Sequence, residues 1–175
     1  MTIKEIEDKY DDILKSIKIC KDNDFKESVF ILTYAMIDSL SWLNSDEQSI
    51  VNRNIKKDFI NFSNEYIVNQ ISQNISGEEL YNARCAIVHT ISTRSQNNIR
   101  HNSRYICYSN CKEATINVNI KLQRINENAV CIDAIELLTA LVEAKTLFFN
   151  KIKKNNEKKN SLIIKANEYY SVFWI

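Results

Sequence analysis

Residues 29–43 read VFILTYAMIDSLSWL, and Asp38 is the one charged residue in this stretch. A helix that is apolar nearly all round is usually central and buried. The stretch therefore predicts a buried helix around which the other elements pack. Because a buried carboxylate needs a partner or becomes protonated, we expect Asp38 to meet a positively charged side chain.

Apolar residues recur at helical spacing on both sides of this stretch. Thr2 with Glu5, and Ser76 with Glu79, have the spacing of a capping box, and Asp133 marks a further helix start. These patterns predict helices over residues 2–22, 24–43, 51–72, 76–91 and 133–152.

The apolar period changes between the fourth of these helices and the last one. Four apolar residues there alternate strictly with polar ones: Ile116, Val118, Ile120 and Leu122. Such alternation is typical of a half-buried strand. With residues 104–109 as the partner strand, it predicts an antiparallel β-hairpin over residues 104–123.

Residues 161–175 form an apolar C-terminal segment after a charged break at residues 153–160. We expect this segment to dock on its own domain or on a second copy, because it is too apolar to remain in water. Residues 1–175 are therefore predicted to form one mainly α domain. Its architecture is a helical bundle of about five or six helices with a small β-hairpin insert before the last long helix.

The composition excludes several functional classes. The chain has one glycine, Gly77, and no proline, which excludes a P-loop and a dinucleotide-binding loop. The formal net charge is +1, so any attraction for phosphate must come from a local patch. Five cysteines and an opening without a secretory signal predict a reduced, cytoplasmic setting, and we expect no membrane span.

The run most informative about chemistry is RCAIVH, residues 84–89, near the end of the fourth predicted helix. Histidine is the side chain best suited to proton transfer near neutral pH, and arginine is a permanently charged partner for phosphate oxygens. An RNA strand cleaves itself when its 2′-hydroxyl is deprotonated and the pentavalent phosphate is stabilised. His89 and Arg84 could supply these two functions without a metal ion or another cofactor, so none is expected.

With this run the chain resembles the HEPN superfamily of helical-bundle nucleases, whose motif is Arg-x4-6-His. The surrounding ELYNARCAIVHT, with IDSLSWL and KDFINFSNEYI upstream, extends the resemblance over residues 25–90. The chain differs from the family at Cys85, where a polar residue is common. It also differs at Ile91, where members paired with a nucleotidyltransferase antitoxin have tyrosine.

The resemblance implies a homodimer in which the two Arg-His motifs face each other across a cleft. It implies a metal-independent RNA endonuclease, with RNA such as tRNA as its substrate, in a bacterial toxin or phage-defence system. An antitoxin or regulatory protein is the further partner that this role implies. His89 would act as general base or acid, Arg84 would stabilise the phosphorane, and Asp38 would orient one of them.

The stretch that follows His89 would guide the RNA strand. Residues 90–110 contain no acidic residue, and the guiding charges would be Arg94, Arg100 and Arg104. The alternative is that these are ordinary surface charges of a loop.

Helix geometry sets a condition on the Arg84–His89 pair. Five steps along an α-helix turn by about 140°, so the two side chains should point in nearly opposite directions. We therefore expect both to reach one cleft only if the helix loosens near His89, or if a second chain supplies part of the site.

Structural roles remain open for the same residues. Arg84 could hold two helices in register by pairing with Asp38, or with Glu79, and His89 could interact with the dipole at a helix end. The chain would then be a non-catalytic helical dimerisation or interaction module in a defence or regulatory assembly. A small-molecule-binding bundle is a third interpretation.

A zinc site is a further alternative. Cys107 and Cys111, with His101 and Cys131, are residue types that bind zinc, but their spacing matches no standard zinc motif. Burial of thiols at alternating strand positions explains the cysteines equally well. We therefore predict no metal ligands.

Overall fold

Residues 29–43 lie in the central helix of the fold, α2 (Lys26–Asn44), as their apolar sequence predicts. The computed structural model describes residues 1–101 and 103–169, and the side chains of Asn97, Arg100, His101 and Tyr169 lie outside that description. Around α2 pack α1 (Ile3–Asp22), α3 (Ile55–Tyr66), α4 (Gly77–Thr90), α7 (Ala134–Lys153) and α8 (Asn156–Tyr169).

The remaining elements are shorter and follow α4 or connect the long helices. They are α5 (Gln96–His101), β1 (Tyr105–Ser109), α6 (Lys112–Arg124), β2 (Ala129–Asp133) and two 3-10 turns at Ile50–Asn52 and Val68–Gln70. The predicted fold class, a mainly α bundle with a small β insert, is confirmed.

The helix starts predicted from capping residues are confirmed as well. Capping boxes are formed by Thr2 with Glu5 and by Ser76 with Glu79, so reciprocal hydrogen bonds satisfy the first amide groups of α1 and α4. Asp133 caps α7, because its carboxylate accepts a hydrogen bond from a backbone N–H of the first turn at 2.8 Å.

The third predicted helix is shorter than expected. Residues 51–72 are α-helical only from Ile55 to Tyr66, because Asn54 caps the helix with its side-chain oxygen. Arg53 therefore lies in the connection between the first 3-10 turn and α3, next to the end of α2, and not on the outer face of a helix.

The β insert differs from the predicted hairpin, which was wrong in topology. The two strands run parallel, with Tyr105 opposite Ala129 and Ser109 opposite Asp133. Parallel neighbours need a crossover connection, and α6 provides it. Residues 114–123, which were predicted to form a strand, belong to this helix, and the second strand is β2.

The contacts of the polar residues in α6 explain why alternating apolar and polar residues wrongly predicted a strand there. The side chain of Asn119 accepts a hydrogen bond from the Cys131 N–H at 2.7 Å and donates one to the Cys131 carbonyl at 2.8 Å. Thr115 is buried, whereas Ile116 and Ile120 are 48% and 41% exposed. The inward face of this segment therefore follows the helical period and includes polar residues, while apolar ones face water.

The C-terminal segment docks on its own domain as far as the structure describes it. Helix α8 starts at Asn156, so the predicted charged break shortens to residues 154–155. Leu162 and Ala166 of this helix are buried in the core. The rest of the apolar segment, residues 170–175, lies outside the described residues. In the described part of the chain, no helix combines the length and apolar character needed to cross a membrane.

Candidate active site

The C-terminal end of α4 presents the predicted motif at the surface of the bundle. The helix ends at Ile91, which adopts a left-handed conformation with φ of 48°. The Ile91 N–H donates a hydrogen bond to the Ile87 carbonyl at 3.1 Å. His89 lies in the last turn and is exposed, whereas Arg84, one and a half turns earlier, is half-buried. The pair thus spans the boundary between core and solvent.

Arg84 and His89 contact each other within one chain. The distance from Arg84 Nη1 to His89 Nε2 is 3.1 Å. This contact needs no loosening of the helix, because α4 continues to Thr90 and the long arginine side chain spans the angular offset. The other condition, a second chain that supplies part of the site, stays a prediction. A guanidinium only donates hydrogen bonds, so Nε2 is the acceptor when these two atoms are hydrogen-bonded.

Asp38 is the residue that fixes Arg84. Its Oδ2 accepts a hydrogen bond from Arg84 Nη2 at 2.7 Å, as expected for the one charged residue in residues 29–43. Glu79, the rival partner considered for Arg84, instead binds Arg104. The ion pair links α2 to α4 and leaves Nη1 of the guanidinium directed at His89.

Arg53 is a member of the site that the sequence did not reveal. Its Nη2 donates to Asp38 Oδ1 at 2.7 Å, to the Asp38 carbonyl at 2.8 Å and to Ser41 Oγ at 2.9 Å. Its Nε lies 3.6 Å from Asp58 Oδ2. Asp38 is therefore held between two guanidinium groups, and the one signal for a second arginine was the isolated carboxylate in an apolar helix.

Burial makes these charge interactions strong. The side chains of Arg53, Arg84 and Asp38 are only 10%, 15% and 17% exposed. Burial lowers the pKa of Arg84, but the hydrogen bond and the charge of Asp38 outweigh it, so the net pKa is raised. Arg84 is thus a fixed cation at every physiological pH.

The outer face of α4 continues the site toward the start of the helix. Tyr81, Cys85 and His89 follow one another at four-residue spacing and so share one face. Burial, followed by the neighbouring Cys85 thiol, raises the pKa of Tyr81. Tyr81 therefore keeps its hydroxyl proton near neutral pH and presents a hydrogen-bond donor beside the Arg84–Asp38 pair.

Two of the three arginines expected to guide RNA are held in ion pairs with glutamates. Arg94 donates to Glu127 at 2.5 Å, and its guanidinium lies 4.4 Å from the ring centre of Tyr105. Arg104 binds both carboxylate oxygens of Glu79, at 2.5 and 3.1 Å, and so reinforces the start of α4. The side chain of Arg100 lies outside the described residues. The acidic partners of these arginines, Glu127 and Glu79, lie outside residues 90–110, so the absence of acidic residues from that stretch did not leave the arginines unpaired.

The cysteines occupy different surroundings from the site. Cys107 and Cys131 face each other in the parallel pair of strands, and both are free thiols. Burial, with Cys131 adjacent, raises the pKa of Cys107 to about 12. Across residues 1–101 and 103–169, no group of three or more His, Cys, Asp or Glu side chains is arranged to hold a metal ion.

Comparison of the chain with protein-family models, with curated proteins and with solved structures finds no match. The residues of the site therefore carry the functional argument by their own geometry. They combine a largely buried, anchored cation with an exposed imidazole. This combination suits the binding of an oxyanion next to a group that transfers a proton.

Proposed function

We propose that this chain is a metal-independent RNA endonuclease of the HEPN type. The observation that supports it most is the 3.1 Å contact between Arg84 and the exposed His89, with Arg84 anchored by Asp38. Holding the cation in place before substrate arrives is what makes electrostatic stabilisation of a transition state effective.

The proposed reaction is transesterification at one phosphodiester. A base removes the proton of the 2′-hydroxyl, and O2′ forms a bond to phosphorus while the bond from phosphorus to O5′ breaks. The products are a 2′,3′-cyclic phosphate and a 5′-hydroxyl, which receives its proton from an acid. His89 transfers a proton, and Arg84 neutralises the charge that develops on the non-bridging oxygens of the phosphorane.

Two proton transfers at opposite sides of the phosphorus need two groups, and one chain presents one histidine at this site. A homodimer supplies the second His89 if the two sites face each other. Exposed apolar residues flank the site and favour such an interface. Val51, next to the Arg53 loop, is 87% exposed, and Ile91, just after His89, is 66% exposed.

The biological role in this proposal is that of a toxin or phage-defence nuclease in a bacterium, with RNA such as tRNA as the substrate. An uncontrolled RNase harms its own cell, so the proposal includes an antitoxin or regulatory protein that restrains it. The paired states of Arg94 and Arg104 mean that RNA would be guided mainly by Arg84 and the partner copy.

The test is cleavage of total RNA and of tRNA by purified protein in the presence of EDTA. His89→Gln and Arg84→Gln should each abolish cleavage, whereas His101→Gln, at the other histidine of the chain, should not. The 3′ fragments should carry 5′-hydroxyl ends and the 5′ fragments cyclic phosphates. Thermal unfolding of each variant confirms that only folded proteins are compared.

Cleavage that survives both substitutions at the site would contradict the proposal, as would a requirement for a divalent metal. Loss of cleavage in His101→Gln alone would place the reacting histidine elsewhere. Sedimentation of the wild-type protein tests the dimer separately.

The second candidate is a non-catalytic dimerisation or interaction module. It is favoured by the ion pairing of Arg84, Arg94 and Arg104, which leaves the described surface without an arginine cluster dedicated to phosphate. In that case the wild type dimerises, and neither it nor its complexes cleave RNA.

A further inference from the structure

A separate cavity opens at the opposite end of α2 from the proposed active site. It has a volume of about 560 Å³, within the range of small-ligand pockets. Its walls come from the end of α1, the start of α2, the end of β1 and the starts of α6 and α7. Since five elements surround it, the cavity is a concave recess and not a flat surface patch.

The floor of the cavity is apolar and aromatic. Phe30 and Tyr108 lie with ring centres 4.1 Å apart, and the Tyr108 hydroxyl is hydrogen-bonded to that of Tyr34 on α2. Leu138 of α7 continues the floor. The ring contact and the hydrogen bond hold both aromatic side chains in place beside the cavity, where they are available to an aromatic ligand.

The rim of the cavity is positively charged. Lys21 and Lys26 line it, and Asp24 is the one acid among the lining residues. Asp24 approaches Lys26 at 3.5 Å, whereas Lys21 has no acidic partner within ion-pair distance in the described part of the chain. A ligand with one negative charge therefore matches this rim.

Phe25 shows that the recess is incompletely filled in the free chain. It lines the cavity, yet 58% of its surface is exposed, and Ile135, another lining residue, is 39% exposed. Leaving two large apolar side chains in water is unfavourable, so a ligand that covers them gains from the burial of this apolar surface.

We propose that this cavity binds a small organic anion, a planar aromatic body that bears one acidic group. The body stacks on Phe30 and Tyr108 and is covered by Phe25, and the acidic group lies between Lys21 and Lys26. This binding activity is independent of the proposed RNase activity, because it uses none of its residues.

The test uses the fluorescent probe 8-anilino-1-naphthalenesulfonate, an aromatic anion, with the full chain. We expect saturable binding of one probe per chain. Phe25→Ala, at an exposed position, and Ala114→Trp, which fills the recess, should each weaken binding at least tenfold. Circular dichroism confirms that both variants are folded.

The charge requirement is tested with the double substitution Lys21→Gln and Lys26→Gln. It should weaken sulfonate binding about tenfold and leave the uncharged analogue N-phenyl-1-naphthylamine unaffected. Lys15→Gln with Lys18→Gln is the control, since both lysines lie outside the cavity on α1, the helix of Lys21, and the double substitution removes the same charge.

Sulfonate binding that Phe25→Ala and Ala114→Trp leave unchanged would overturn the proposal, because the probe would then lie elsewhere. Equal weakening by the two lysine pairs would also overturn it, since long-range attraction alone would explain the affinity. If Ala114→Trp instead abolishes self-association of the chain, the cavity is an interface between copies and the proposal is wrong.

Discussion

At the scale of single residues, an isolated charge in an apolar segment was the best guide to the site. Asp38 stood alone in residues 29–43, and the structure gives it a positively charged partner, as expected. The second partner, Arg53, could not be predicted because it precedes a helix cap and its position depends on how α2 and α3 pack. Pairing between distant residues is set by tertiary structure, which local patterns do not encode.

The buried contacts of Arg53 with Asp38 should contribute far more to the free energy of unfolding than a surface ion pair does. Arg53→Gln leaves Asp38 with one cationic partner in a buried site, so we expect a loss of about 2 kcal/mol in the free energy of unfolding. Arg94→Gln, which removes a 51%-exposed arginine from Glu127, should leave the free energy of unfolding almost unchanged. Urea denaturation measures the unfolding free energy of both variants. Equal losses would show that the buried contacts of Arg53 stabilise the fold no more than a surface ion pair does.

Lys165 should give the protein an unusual alkaline pH dependence. Its side chain is almost completely buried against Trp42, and it donates to the Trp42 carbonyl and to Ser45 at the end of α2. Burial lowers the pKa of Lys165 to about 8. Between this pH and the unfolded value of 10.5 the unfolded chain binds more protons, so stability rises with pH.

The measurement compares wild type with Lys165→Met by urea denaturation from pH 7 to pH 10.5. From pH 7 to pH 10.5, the unfolding free energy of wild type should rise by up to about 3 kcal/mol relative to that of Lys165→Met. Taking the difference removes the contributions of other titrating groups, such as Tyr34, whose pKa burial raises. A constant difference would mean that Lys165 stays protonated throughout and that its pKa is not lowered.

At the scale of elements, sequence patterns predicted the long helices well and the insert poorly. Caps are local interactions, so Thr2 and Ser76 marked their helices correctly. The β1–α6–β2 unit is held by contacts between distant residues, above all by Asn119 with the backbone of Cys131. Asn119 forms hydrogen bonds with the backbone of β2 from a helix. In the sequence, it cannot be distinguished from a polar residue that faces outward from a strand.

The single glycine of the chain fixes how closely α3 and α4 approach. A Cβ at Gly77 would lie 2.6 Å from the Ile60 carbonyl oxygen of α3 and 2.8 Å from Asn64 Oδ1, which accepts the Gly77 N–H. Glycine to alanine in a helix usually stabilises a protein. Here we expect Gly77→Ala to destabilise by about 1–3 kcal/mol, because backbone atoms must move apart.

Thermal unfolding provides the measurement for Gly77→Ala. The control is Asn117→Ala at an exposed position of α6, which should change the unfolding free energy by less than about 0.5 kcal/mol. A stabilised Gly77→Ala protein would show that the α3–α4 contact is looser than the structure indicates.

At the scale of the whole molecule, α2 connects the two functional regions that we propose. Its first turn lines the cavity, and Asp38, about 12 Å further along the helix from Phe30, anchors Arg84. The sequence predicted the central position of this helix and the pairing of Asp38 with a positively charged side chain. It did not predict the cavity, because that recess is formed by five elements whose relative positions follow only from the packed fold.

A mixing experiment tests whether two chains build one active site. Wild type is combined with increasing amounts of His89→Gln protein and allowed to exchange subunits, and RNA cleavage is measured at constant total protein. If each site needs His89 from both chains, only wild-type pairs are active, and an equal mixture keeps about one quarter of the activity. If each chain holds a complete site, the same mixture keeps about one half of the activity, and the shared-site dimer is wrong.

Val51→Glu tests the dimer interface, because it places a charge on the exposed flank of the site. It should lower both the affinity of the dimer and the rate of cleavage. Thermal stability should stay unchanged, because this side chain is 87% exposed in the single chain.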